Sequence, residues 1–216
     1  MTDLNKKKEL ILERELAFAN AISAAVFEKP KVSFWMVLIP FLFLYFLYGM
    51  QKYKSGRMKF DADFMVTRRR ALDMAAEALD AQRQPDVIGT IRQYGLTDDL
   101  EKPYAAWIDV LIDHYSDLLT AEGDNYETLV RKAYHTRINY LESLNHLNLV
   151  EKEFYAAIKH NLVATDSAVD IIATIESESH RLRQDLADQV FPENVKPNDN
   201  PMAKPFTKRV GREYTS

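Results

Sequence analysis

The chain contains no cysteine. That excludes disulfides, thiolate nucleophiles, cysteine zinc sites and cysteine-ligated iron–sulfur clusters. It leaves the redox compartment undefined, because a chain without thiols suits either environment. Glycine is scarce, with six residues at positions 49, 56, 89, 95, 123 and 211. Phosphate-cradling loops need closely spaced glycines, so Walker and dinucleotide-binding loops are excluded. The sequence has no G-x-S-x-G elbow, no kinase motif set, no H-E-x-x-H and no internal repeat. No segment reads as a strand, and only one apolar run is long enough to cross a bilayer, which excludes a polytopic transporter.

Charge is also unevenly distributed. The net value of −4 conceals +3 over residues 51–83 and −10 over residues 84–191. Phosphate backbones are held by basic faces, so no nucleic-acid partner is expected for the acidic part.

The strongest positive signal runs from Val32 to Met50, VSFWMVLIPFLFLYFLYGM, without Asp, Glu, Lys, Arg or His. A helix of that length spans about 28 Å, close to the roughly 30 Å of a bilayer's hydrocarbon core. Trp35 lies near one end, and Tyr45 and Tyr48 near the other, as membrane interfaces favour. Lys29 and Lys31 precede the run; Lys52, Lys54, Arg57 and Lys59 follow it. The run reads as an uncleaved anchor, too long for a signal-peptide core. The excess of basic residues on its C-terminal side places the larger part of the chain in the cytoplasm. Pro40, near the middle, removes a helical hydrogen bond and kinks or breaks the segment. Three topologies follow: a span with the C-terminus inside, a re-entrant hairpin, and a span with the C-terminus outside. The first is the expected one.

The remainder reads as helix. Residues 1–28 form an N-terminal amphipathic helix with Leu12, Leu16, Ala19, Ile22 and Val26 on its stripe; it lies on a membrane surface or packs on another helix. Residues 51–60 form a basic juxtamembrane linker. Residues 61–190 form an α-helical bundle. Its first helix ends before Pro85. A short one follows between Pro85 and Gly95, and another over 104–121 is introduced by Asp98, Asp99 and Glu101. The next runs from Asp124 or Asn125 to about Asn145, a break falls near 145–148, Leu149 to Leu162 continues as helix, and the last covers roughly 167–189. Its stripe is interrupted by Glu176, Ser179 and His180, which suggests a polar contact. Residues 191–216, with four prolines, read as an extended or disordered tail.

The fold class is therefore all-α: a single N-terminal transmembrane helix plus a soluble bundle of about five helices. The aromatic series Tyr104, Trp107, Tyr115, Tyr126, Tyr134 and Tyr140 falls at helical spacing and reads as core.

Candidate chemistry is thin. No histidine has an acidic residue three positions before it, so the paired Glu-x-x-His signature of di-metal bundles is missing. The weak metal candidates are Glu142 with His146 and Glu176 with His180, each four apart on one helix face, where a surface ion pair is the simpler reading. Asp109, Asp113 and Asp117 form an acidic ladder that the Arg68–Arg70 run could neutralise. His114 beside Asp113 is no dyad, because helical neighbours point about 100° apart. The expected function is a membrane-anchored, non-catalytic adaptor, scaffold or accessory subunit of a membrane complex. It needs no cofactor. Its partners would be the lipid bilayer and other membrane proteins, or a second copy through its helices. The first alternative is a tethered ligand- or metal-binding helical domain, with or without enzymatic activity, using the acidic face and histidines 114, 146 and 180. The second is a membrane-shaping hairpin protein with Pro40 at its apex.

Overall fold

The computed structural model describes residues 3–28, 56–93, 95–161 and 166–192. These form seven helices and no strand: α1 (Asp3–Glu28), α2 (Gly56–Asp80), α3 (Val87–Arg92), α4 (Asp98–Thr120), α5 (Tyr126–Tyr134), α6 (Arg137–Asn161) and α7 (Asp166–Val190). None of them is long and apolar enough to cross a membrane. The apolar run 32–50, with Trp35, Pro40, Tyr45 and Tyr48, lies outside the described residues, as do Lys52, Lys54 and the tail from 193.

Five long helices pack side by side, in the order α1, α2, α4, α6, α7 and back to α1. Each buries a stripe set by the 3.6-residue period. In α2 the buried positions are Phe64, Met65, Thr67, Arg68, Ala71, Leu72, Ala75 and Ala76. In α4 they include Tyr104, Trp107, Ile108, Leu111, Tyr115, Leu118 and Leu119. Trp107 packs on Phe154 and Tyr155 of α6 with ring centroids 5.2 and 6.2 Å away. The aromatic series read as core is buried throughout.

The N-terminal helix packs on other helices, one of the two settings read from its stripe. It is part of the bundle rather than an element outside residues 61–190. Ile11, Ala19, Ile22 and Val26 are buried, whereas Leu16, expected on the same stripe, is 40% exposed. Three contacts fix how α1 meets α2. Lys8 pairs with Asp73 at 2.6 Å, Glu15 with Arg68 at 3.0 Å, and the Phe18 and Phe64 rings lie 6.2 Å apart. Moving forward along α1 moves backward along α2, so the two form an antiparallel pair. Glu28 and Gly56 therefore lie at the same end of the bundle.

Other boundaries also shift. Helix α2 begins at Gly56, so Arg57 and Lys59 sit in its first turns rather than in a linker. Its end is marked by Gln82 at φ 49°, with the Arg83 N–H donating to the Ala78 carbonyl at 3.0 Å. That is a left-handed cap made without glycine. The expected break at 145–148 does not occur, and α6 is continuous. The chain breaks instead at His135, φ 66°. Thr136 restarts it, its hydroxyl accepting from the Asn139 N–H at 3.2 Å. Asn148 serves a side-chain role, bonding to Arg183 and His180 of α7.

Candidate functional site

Four of the core stripes carry a charged residue where an apolar one is the norm. Arg68 of α2, Glu151 of α6 and Arg183 of α7 are 1%, 3% and 5% exposed. Glu15 of α1 reaches the same point, with its side chain 15% exposed. Glu151 is the hub. One carboxylate oxygen accepts from Arg68 Nη2 at 3.1 Å and the other from Arg183 Nη1 at 2.7 Å. Arg68 also pairs with Glu15 through Nε at 3.0 Å and donates to the Phe64 carbonyl at 3.4 Å. Its guanidinium carbon lies 3.9 Å from the centre of the Phe64 ring, with Phe18 and Trp107 beyond at 5.4 and 5.7 Å. Aromatic faces and carboxylates together replace the water that the cation has lost.

The electrostatics follow from this packing. Burial opposes charge on Glu151, but Arg183 and Arg68 outweigh it and hold its carboxyl below the usual range. Burial likewise opposes charge on Arg68, and Glu151 and Glu15 reverse the effect, pushing it up. Both groups are ionised in the folded chain.

A second buried group adjoins the first. His114 is 5% exposed, and its Nδ1 lies 2.5 Å from the Tyr134 hydroxyl. Ser143 donates to that hydroxyl at 3.2 Å. Burial, helped by the charge of Arg183, lowers the His114 pKa to about 4, so the ring is neutral at pH 7. The hydroxyls of Tyr115 and Tyr140 are fully buried, Tyr115 facing Glu15 and Tyr140 facing Tyr126. Between these groups lies a cavity of about 30 Å³ whose lining includes Arg14, Glu15, Arg68, His114, Tyr140 and Arg183.

The metal candidates are not brought together into a site. Glu142 and His146 are exposed on α6. Glu176 pairs with Lys159 at 3.1 Å, and His180 Nδ1 lies 3.2 Å from the Asn148 amide nitrogen. Among the described residues no three His, Asp or Glu side chains converge as metal ligands would. Of the Arg68–Arg70 run read as a neutraliser of the acidic ladder, Arg68 is committed to Glu15 and Glu151.

Sequence reasoning missed Arg68, Glu151, Arg183 and Glu15 as a group. Their signal was phase. Each sits three or four residues from buried apolar neighbours on its own helix, for example Leu147 and Phe154 around Glu151. Comparison of the chain with family models, curated proteins and solved structures finds no match.

Proposed function

We propose that this protein is a membrane-attached helical adaptor. Residues 29–55 enter one leaflet as a hairpin, and the bundle stands on the cytoplasmic face to receive a partner. The observation that carries this reading is the antiparallel pairing of α1 with α2. A chain that crosses a bilayer once emerges on the opposite side. Helices packed against each other share a side, so the segment joining them must return to where it started. Pro40 divides the apolar run into arms of 8 and 10 residues. As helices these arms reach roughly 12 and 15 Å, about half of the hydrocarbon thickness.

Charge supports the same arrangement. In a hairpin, Lys29, Lys31, Lys52, Lys54, Arg57 and Lys59 all belong to one end of the bundle. Anionic headgroups attract such residues by about 1 kcal/mol each. The net −10 of residues 84–191 opposes contact along the rest of the surface, so the bundle stands end-on. With both flanks basic, the positive-inside rule puts both in the cytoplasm. A partner face is offered by α6, where Ile138 and Leu149 are 69% and 54% exposed and three turns apart on one side.

The test uses the cysteine-free background. Lys8→Cys with Asp73→Cys is treated with a short bis-maleimide in native membranes. An intramolecular cross-link is expected. Its absence, with both cysteines reactive singly, rejects the hairpin. Ile138→Glu with Leu149→Glu should release co-purifying protein while leaving the chain in the membrane fraction. Unchanged co-purification rejects α6 as the docking face.

A further inference from the structure

Helix α6 is the one described helix that leaves two large apolar side chains exposed; Leu16 on α1 and Val169 on α7 stand singly. Ile138 and Leu149 belong to a longer pattern. Ile138, Glu142, Asn145, Leu149, Lys152 and Ala156 are all exposed and follow one another at alternating steps of four and three. At about 100° per residue they keep within a strip about 80° wide. That is the spacing of a seam between two helices. Glu142 and Lys152 enter no ion pair among the described residues. The seam is also complementary to itself. Turned end for end about Leu147, it sets Glu142 opposite Lys152, Asn145 opposite Leu149 and Ile138 opposite Ala156, each pair twice. A parallel pairing would instead set Glu142 against Glu142 and Lys152 against Lys152, which like-charge repulsion opposes.

We infer that the partner of α6 is a second copy of this chain, docked antiparallel through two Glu142–Lys152 pairs, and that the dimer joins two bilayers. This rests on the α6 face and the hairpin proposed above. The direction of α6 gives the second half of the inference. Asp124, just before α5, pairs with Lys6 at 2.9 Å, at the end of α1 remote from Glu28. Phe154, late in α6, lies against Tyr104, whose hydroxyl is 3.2 Å from that of Thr67, about three turns from Gly56. Helix α6 therefore runs toward the end of the bundle shared by Glu28 and Gly56, where residues 29–55 enter the membrane. Two copies paired antiparallel point those ends in opposite directions. A bundle standing end-on cannot do this within one bilayer, so the pair spans the gap between two. The charge pairs fix register and partner more than they add affinity. With few large apolar residues the single contact is weak, and many copies on each surface strengthen it.

The full-length chain is reconstituted into vesicles of phosphatidylcholine and phosphatidylglycerol, and clustering is followed by light scattering. Wild-type vesicles should cluster. Glu142→Lys and Lys152→Glu should each abolish clustering, because each sets like charges opposite each other twice. Both positions are exposed, so both variants should fold as wild type does. The double variant should cluster again. Vesicles carrying Glu142→Lys should also cluster with vesicles carrying Lys152→Glu, although neither clusters alone. Single variants that cluster like wild type overturn the antiparallel register. Molar mass in detergent separates the remaining failures. Dispersed vesicles with a dimer that obeys the same charge pattern overturn the bridging, and with it the end-on hairpin. Dispersed vesicles with a monomer overturn the self-pairing; release of a different co-purifying protein by Ile138→Glu with Leu149→Glu would then keep α6 as a docking face.

Discussion

Glu151 bonds to two arginines from two different helices while almost wholly out of water. Such a hub is stable only while complete. Removing one partner of a buried ion pair leaves the other charge uncompensated, at about 3–5 kcal/mol. Glu151→Gln should therefore lower unfolding free energy by about that much in a denaturant titration of the full chain. Replacing Glu15, Arg68, Glu151 and Arg183 together by apolar residues should cost far less. His114 makes a separate prediction. Unfolded, it takes up its proton near pH 6.5; folded, near 4. Between those values the unfolded chain binds more protons, so stability is complete above about pH 6.5 and falls as pH drops toward 4. The fall between about pH 7.5 and about pH 5 should be about 2 kcal/mol, and His114→Gln should remove that part of the slope.

Helices were largely legible in the sequence, because a 3.6-residue apolar period requires no tertiary knowledge. The short helix α3 and the acidic start of α4 at Asp98, Asp99 and Glu101 were both visible. The break at 135–136 was not, because it depends on a histidine adopting φ 66°, a conformation usually assigned to glycine or asparagine. Thr136 was the available clue, and Thr136→Ala should cost about 1 kcal/mol through loss of its cap. The candidate site was less legible. A charged residue on an apolar stripe has no visible partner until the helices are packed, and Arg68 meets Glu151 across 83 positions of chain. Placement of α1 was likewise a tertiary fact. Ile22 and Leu16 look equivalent in sequence, yet one is fully buried and the other 40% exposed. Ile22→Ala should destabilise the whole bundle by about 2–5 kcal/mol. Leu16→Ala should cost less than about 1 kcal/mol. Equal, small effects in thermal unfolding would mean that α1 is not part of the core.

For the molecule as a whole, an apolar segment joins the two helices of an antiparallel pair at one end of an acidic bundle. That geometry converts an expected single-pass anchor into a proposed hairpin, and it makes both flanks of residues 29–55 share one compartment. Asn5 and Glu153 are exposed on α1 and α6. Each can be replaced singly by cysteine in a chain that has none. The decisive measurement is labelling of Asn5→Cys and Glu153→Cys with a membrane-impermeant maleimide, in intact and in permeabilised cells. A hairpin predicts that both positions are protected in intact cells and that both react after permeabilisation. Reaction of one position in intact cells with protection of the other would place α1 and the rest of the bundle on opposite sides of the membrane, and would contradict the fold described above.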